Sequence, residues 1–153
     1  MTNKDELVDE LIDSMPDWTV ALVQLNGLIA DRMGVVSTDL HCLHALNHHG
    51  PATPGVLAER VGLTPGSASR MVDRLDAAGC VRRVPDPQDR RRVLIEPTEE
   101  GLRRVARYYE GLAARTREDL ADFPAEHLRA LLDFITATRA STLAELTRLR
   151  STS

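Results

Sequence analysis

One stretch of the sequence, residues 53–96, constrains the fold most because strong start and stop signals follow one another closely. Thr64 and Pro65 predict a helix N-terminus, since threonine caps the first turn and proline loses no hydrogen bond at the first helical position. Gly79 suits the left-handed conformation that ends many helices. Between them, apolar residues recur at helical spacing, namely Ala68, Met71, Val72, Leu75 and Ala78. The outward positions of this predicted helix are Ser67, Ser69, Arg70, Asp73 and Arg74.

A second, shorter helix is predicted just before it, from about Pro54 to Val61, with a tight turn at residues 62–64. Two helices joined by a short turn that contains glycine form the helix-turn-helix pattern, although many helical hairpins share it. Backbone N–H groups and hydroxyls at a helix N-terminus bind phosphate, and small side chains allow a helix to enter a major groove. The pattern therefore predicts that the helix beginning at Pro65 binds DNA.

Two short strands, at about residues 80–84 and 93–95, are predicted on either side of the charged hairpin PDPQDRRR. The hairpin is too long for a two-residue turn, and its place after a helix-turn-helix is typical of a wing. Its arginines would reach toward phosphate or the minor groove, while Asp86 and Asp89 would brace them or cap the turn. Residues 70–92 hold seven arginines and four aspartates. A solvated charged loop is the alternative interpretation, and the neighbouring helix-turn-helix favours the wing.

The segment TPGSASRMVDRLDAAGCVRRVPDPQDRRRVLIEPTEEG resembles the winged helix of MarR-type (multiple antibiotic resistance) transcriptional regulators. The family's D-x-R wing element is matched by Asp89 and Arg91, and its two recognition-helix arginines by Arg70 and Arg74. The family's V-x-R-x-x-D-P-x-D-R-R run is also present, from residue 81 to residue 91. Pro97 departs from the pattern, because many members have leucine before the threonine. The resemblance extends over roughly residues 22–146, although its motifs lie only in the winged helix.

The resemblance implies a dimeric regulator that binds a double-stranded DNA operator, as a repressor released by a small aromatic ligand. Positions expected to contact DNA are Thr64, Pro65, Ser67, Ser69, Arg70, Arg74, Asp89, Arg90, Arg91 and Arg92. Positions expected at the ligand pocket are Trp18, Leu22, His41 and His44. No cofactor and no metal are expected.

Amphipathic helices are predicted on both sides of the winged helix. Pro16 interrupts the first apolar stripe, and the sequence leaves open whether it is a kink or a boundary. The leucine-rich stripes are too long for a small winged helix to cover, so a second copy of the chain is expected to cover them. The expected fold is mostly α with a small β-hairpin wing, a winged helix-turn-helix flanked by long dimerisation helices. The expected domains are N-terminal dimerisation helices at 1–34, the winged helix-turn-helix at 35–97 and C-terminal dimerisation helices at 98–153.

Composition limits the remaining possibilities. The 153 residues carry a net charge of −4, so DNA binding must depend on local positive charge. No apolar run is long enough to span a membrane and the N-terminus is acidic, which favours a cytoplasmic protein without membrane contact. The two cysteines, Cys42 and Cys80, are too few for a disulfide framework and are expected to be structural.

Functions other than DNA binding find less support in the sequence. The sequence has no phosphate-binding glycine loop, no nucleophile elbow and no HExxH motif, so no enzyme activity is expected. A winged helix used only for protein contact would not need its arginines. His41, His44 and His48 share one helical face at a spacing that metal sites use, so a metal-responsive, redox-responsive or pH-sensing regulator stays an alternative.

Overall fold

The computed structural model describes residues 3–152 as six helices and one antiparallel hairpin. The predicted fold class, mostly α with a small hairpin, is confirmed. The elements in chain order are α1 (Lys4–Met33), α2 (Ser37–His49), α3 (Pro54–Val61), α4 (Pro65–Ala77), β1 (Val81–Pro85), β2 (Val93–Pro97), α5 (Glu99–Asp119) and α6 (Ala125–Ser151).

The first helix, α1, runs through Pro16 without a break, which settles the question that the sequence left open. A proline inside a helix removes one backbone hydrogen bond but need not end the helix. Helical spacing of apolar residues continues on both sides of Pro16, and α1 ends only at Gly34, whose φ of 74° is left-handed.

The core of the winged helix is formed by α2, α3, α4 and β2. Its fully buried side chains include Leu57, Met71, Leu75 and Ile95. The apolar face predicted for α4 is buried as expected, with Ala78 at its end only partly covered. Gly79 has a φ of 73°, so it ends the helix in the left-handed conformation and leads directly into β1.

The hairpin pairs β1 with β2 in a register that sets Arg83 opposite Ile95. A third segment joins the sheet at Ala52, just before α3. The Ala52 N–H donates to the Ile95 carbonyl at 3.1 Å, and the Ile95 N–H donates back at 2.8 Å. No local pattern in the sequence predicts this bridge, which ties the base of the wing to the start of the helix-turn-helix.

The start of α5 packs tightly against the segment that follows α4. Thr98 Oγ1 accepts from the Gly101 N–H at 3.0 Å and donates to the Gly79 carbonyl at 2.6 Å. A Cβ on Gly101 would lie 2.5 Å from the Cα of Cys80, so only glycine fits there without a shift. Arg104 Nη1 donates to the Ala78 carbonyl at 2.6 Å. The first turns of α5 are therefore fixed to the C-terminal end of α4.

The chain divides into two compact units, one up to Tyr109 and one from Glu110 onward. The second unit contains the later turns of α5 and all of α6. No residue of α6 is buried, and large apolar side chains such as Leu132 and Ile135 are exposed. Among the described residues, no single helix is long and apolar enough to cross a membrane. Taken together, α1 and α2 have that length and composition, but they meet at an 89° bend.

Candidate nucleic-acid interface

The N-terminus of α4 is capped by its own hydroxyl residues. Thr64 Oγ1 accepts from the Ser67 N–H at 3.3 Å and donates to Ser67 Oγ at 2.9 Å. Pro65 occupies the first turn, as predicted. Ser69 and Arg70 follow on the exposed side of the helix, whereas Ser67 is half-buried. Of the serines predicted to contact DNA, Ser69 is thus the one with an exposed side chain and no structural hydrogen bond within residues 3–152.

Arg74, one of the positions expected to contact DNA, is engaged inside the protein. Its Nε donates to Asp39 Oδ2 at 2.9 Å, and its Nη2 donates to Asp39 Oδ1 at 2.8 Å. The hydrogen bond to Asp39 raises the pKa of the guanidinium. Asp39 itself is fully buried, so the pair joins α4 to α2 across the core. Phosphate contact by Arg74 is not the role that this geometry favours, and nothing in the sequence singled out Asp39 as its partner.

The loop of the wing is shaped by bonds from aspartate side chains to the backbone. Asp86 Oδ1 accepts from the Gln88 N–H at 2.9 Å, and Asp89 Oδ1 accepts from the Arg91 N–H at 3.0 Å. A further backbone bond, from the Arg92 N–H to the Asp89 carbonyl at 2.9 Å, closes the turn. Asp89 therefore caps the turn, one of the two roles predicted for it. The idea that it holds the Arg91 guanidinium is not what the structure shows.

Other arginines at the base of the wing are paired with carboxylates. Arg83 reaches two side chains of α4, with Nη2 at 2.5 Å from Asp73 and Nη1 at 2.8 Å from Asp76. Arg82 pairs with Glu96 on the opposite strand. The Arg83 bonds fix the hairpin to α4, and the Arg82 bond joins the two strands of the hairpin. Both guanidinium groups stay exposed, but each is already paired with a carboxylate.

Four of the seven arginines between residues 70 and 92 form no ion pair with any part of the chain that the structure describes. We call them the unpaired arginines, and they are Arg70, Arg90, Arg91 and Arg92. All four are exposed. The seven arginines of residues 70–92 therefore divide into three that are paired with carboxylates and four that are not, one on α4 and three on the wing.

A cavity of about 460 Å³ lies within the first unit, between α1, α2 and α5. Of the four residues expected at a ligand pocket, His41 and His44 line this cavity, whereas Trp18 and Leu22 do not. The α1 residue in its wall is Asn26, a turn or more further along. The hydroxyl of Tyr109 donates to Asn26 Oδ1, and burial raises the pKa of that tyrosine. The remaining lining residues are Leu40, Leu43, Asn47, Leu102, Val105 and Ala106.

The histidines of α2 and the two cysteines have different surroundings. The rings of His44 and His48 lie 4.3 Å apart, centroid to centroid. Within residues 3–152, no group of three or more His, Cys, Asp or Glu side chains is arranged to hold a metal ion.

Cys42 and Cys80 are fully buried. Burial, reinforced by the charge of Asp39, raises the pKa of Cys42 to about 12, and burial also raises the pKa of Cys80. Both thiols are therefore protonated at neutral pH.

Comparison with known proteins gives a consistent result. A model of the MarR family matches residues 33–92. The chain is 35% identical over 121 residues to the uncharacterised HTH-type transcriptional regulator YcgE of Bacillus subtilis, a match that covers 79% of each protein. It is 39% identical over 59 residues to the HTH-type transcriptional repressor NicR of Pseudomonas putida, covering 39% of this chain and 37% of NicR.

Solved structures agree on the fold. A MarR family protein from Bacillus stearothermophilus superposes with a TM-score of 0.70, covering 93% of this chain and 99% of that one. At 21% identity, this likeness speaks to the fold alone. Together with the winged helix and its unpaired arginines, the match to YcgE and the family model shows that this chain belongs to the MarR family of transcriptional regulators.

Proposed function

We propose that this regulator is a dimeric repressor that reads an operator sequence and is released by a small ligand. The observation that carries the DNA-binding part is the set of unpaired arginines, exposed together on α4 and the wing. Arginines that already form ion pairs within a protein have few free N–H groups for binding a partner. Exposed unpaired arginines, in contrast, can bind phosphate or guanine with two hydrogen bonds.

Each unpaired arginine is assigned a part in this proposal. Arg70 projects from the first half of α4, the part of a recognition helix that meets base edges in the major groove. We assign it a guanine edge, with Ser69 beside it. Arg90, Arg91 and Arg92 lie on the wing, where they would contact phosphate or enter the minor groove. Thr64, Pro65 and Ser67 supply the capped helix end, and Asp89 shapes the wing without touching DNA.

The dimer is inferred from the apolar residues that the chain leaves exposed. Leu132 is 63% exposed and Ile135 is 53% exposed on α6, and Leu7, Leu11 and Ile12 are exposed on α1. Burial of such side chains is worth roughly 1.5–3 kcal/mol each, so a partner surface of matching chemistry is strongly favoured. We propose that the helices at 1–34 and 98–153 supply that surface in a second copy. A two-fold dimer would then present two recognition helices to half-sites about 34–36 Å apart.

The cavity supports the ligand part of the proposal. Its wall combines leucine and valine side chains with polar groups from His41, His44, Asn26, Asn47 and Tyr109. That mixture suits a small aromatic molecule with one or two polar substituents, since the apolar wall covers the ring and the polar groups orient it. Repression is proposed because NicR, a relative in the DNA-binding region, is named a transcriptional repressor. A cytoplasmic location follows from contact with the chromosome.

In vitro selection of duplex DNA with the full-length protein tests this function. We expect one enriched two-fold sequence whose affinity falls steeply as salt rises, because arginine–phosphate contacts release counterions. Recovery of no enriched sequence, or affinity insensitive to salt, would contradict a DNA-binding role and favour a winged helix used for protein contact.

Single substitutions then separate the roles of the arginines. Arg70→Ala should cost about 1–3 kcal/mol and relax the preference at one base pair per half-site. Arg91→Ala should weaken binding to all sequences and lower the salt slope by about one per contact. Arg103→Ala, at an exposed position on α5, is the matched control and should change neither. If Arg70→Ala selects the same motif as the parent, the assignment of base reading to Arg70 is wrong.

A further inference from the structure

We propose that Asp39 is a positioning residue for DNA recognition, which acts by fixing the orientation of α4 through Arg74. The inference rests on the proposed DNA-binding function and adds a residue that lies outside the DNA-contacting surface. Asp39 is buried, so it would influence the DNA only through the helix that it holds.

The carboxylate of Asp39 is bonded on both oxygens. Oδ1 accepts from Arg74 Nη2 at 2.8 Å, and Oδ2 accepts from Arg74 Nε at 2.9 Å. Oδ2 also accepts from the Val36 N–H at 3.0 Å, which fixes the start of α2. A buried carboxylate must be paired, and the planar guanidinium matches it with two parallel hydrogen bonds. The two planes are therefore held in one relative orientation.

This orientation matters because of where Arg74 lies on α4. Arg74 is four residues after Arg70, so the two side chains leave the same face of the helix one turn apart. The fixed Arg74 guanidinium acts together with the buried apolar face of α4 to set the rotation of the helix about its own axis, and hence the direction in which Arg70 points. Arg104 holds the far end of α4 through the Ala78 carbonyl, but a bond to a terminal carbonyl constrains that rotation less.

The exposed part of Arg74 allows a competing explanation. Its side chain is 38% exposed, so it could contact phosphate while Asp39 merely neutralises part of its charge. A second competing explanation is that the ion pair stabilises the fold and has no influence on recognition. The three explanations predict different behaviour when Asp39 is replaced by asparagine, which keeps the shape and removes the charge.

The experiment uses the full-length protein, the duplex enriched by selection with the parent, and a scrambled duplex of equal length. Affinity for both duplexes is measured at several salt concentrations for the parent, Asp39→Asn, Arg74→Gln, Arg74→Lys and the double variant Asp39→Asn/Arg74→Gln. Cys42→Ala is the matched control, because it removes a fully buried thiol near Asp39 on α2 that forms no hydrogen bond with the ion pair. All titrations are run well below the unfolding temperature of the least stable variant.

Under the proposal, Asp39→Asn lowers the affinity ratio of selected to scrambled duplex about tenfold, and Cys42→Ala leaves that ratio unchanged. Arg74→Gln lowers the ratio similarly. The ratio of the double variant is no lower than that of the more impaired single variant, because both changes break the same bond. Arg74→Lys recovers part of the loss, since an ammonium keeps the charge without the second hydrogen bond.

Other outcomes overturn the inference. Tighter binding by Asp39→Asn to both duplexes, with Arg74→Gln lowering the salt slope by about one, would make Arg74 a phosphate contact. If Asp39→Asn has the same affinity ratio of selected to scrambled duplex as Cys42→Ala, the ion pair only stabilises the fold. If Asp39→Asn does not fold, the two Arg74 variants decide. A lower affinity ratio for Arg74→Gln that Arg74→Lys partly restores supports the proposal, whereas a salt slope lowered by about one for Arg74→Gln makes Arg74 a phosphate contact. Failure of the parent to enrich any duplex would instead contradict the proposed function itself.

Discussion

The recognition helix α4 and the C-terminal helix α6 both carry regular apolar stripes, but they differ in what covers those stripes. Ala68, Met71, Val72 and Leu75 of α4 are all buried within one chain. No residue of α6 is buried, although the helix spans 27 residues. Apolar spacing therefore predicts which residues share a face, but it does not say whether the same chain or a second copy will cover that face.

The largest expected effect comes from a leucine-to-alanine change in the covered stripe. Leu75 is fully buried, so Leu75→Ala should lower the free energy of unfolding by about 2–5 kcal/mol through lost burial and a residual cavity. The loss should be independent of protein concentration. Chemical denaturation at two concentrations measures both quantities.

Leu132→Ala on α6 is the matched change in the uncovered stripe. If a second copy covers α6, this variant should raise the dimer dissociation constant, and its stability loss should depend on protein concentration. Sedimentation equilibrium measures the association directly. A well-folded parent monomer at micromolar concentration would contradict the dimer and leave the exposed stripe of α6 unexplained.

A smaller effect is expected where α5 meets the winged helix. A Cβ at position 101 would lie 2.5 Å from the Cα and 2.9 Å from the carbonyl oxygen of Cys80, both backbone atoms. Gly101→Ala should therefore cost about 1–3 kcal/mol, as overpacking in a close-packed interior does. Thermal unfolding of the parent and of Gly101→Ala measures this difference in stability.

Gly111→Ala supplies the control on the same helix, because a Cβ at Gly111 meets nothing within 4 Å. Alanine is favoured over glycine in a helix by about 0.8–1 kcal/mol, so this variant should be slightly more stable than the parent. Equal effects of the two substitutions would show that α5 is not packed against Cys80 in solution.

The effect that is smallest at neutral pH is a pH dependence confined to the covered core. The pKa of Cys42 is raised to about 12 by burial, whereas an unfolded thiol titrates near 8.5. The unfolded state then releases a proton that the folded state keeps, so stability is complete below about pH 8.5 and falls as pH rises toward 12. The slope should approach ~1.4 kcal/mol per pH unit.

Urea unfolding between pH 8 and 10.5 measures that slope for the parent and for Cys42→Ala. The variant should lose the contribution of Cys42 and show a shallower fall. Parallel curves for the two proteins would mean that the Cys42 thiol is exposed to solvent in the folded protein.

Local signals in the sequence were enough for much of the winged helix. The bounds of α3 were predicted correctly because Pro54 and Gly62 mark both ends, and α4 was predicted to within a residue by Thr64, Pro65 and Gly79. The wing followed from the charged hairpin between two short apolar runs. These features depend on neighbours within a few residues, which spacing alone can reveal.

Features that join distant parts of the chain were not predictable in the same way. Asp39 and Arg74 are 35 residues apart, and nothing local distinguishes a buried ion pair from two exposed charges. The bridge between Ala52 and Ile95 is equally long in range. At the cavity, His41 and His44 were predicted, but Asn26 and Tyr109 were not, because their contact depends on how α1 and α5 pack.

The way in which the wing loop is closed bears on how such a regulator could acquire a new operator. Its turn is held by aspartate side chains and backbone groups, and within the described residues no side chain of the wing's unpaired arginines takes part. The side chains at 90–92 are therefore free to vary without a penalty in folding, except for proline at 91 or 92, which would remove an N–H that donates to Asp89. A library randomised at these three positions should yield mostly folded proteins with different DNA preferences. Randomising Arg74 or Arg83 should instead yield many variants that fail before binding is ever tested.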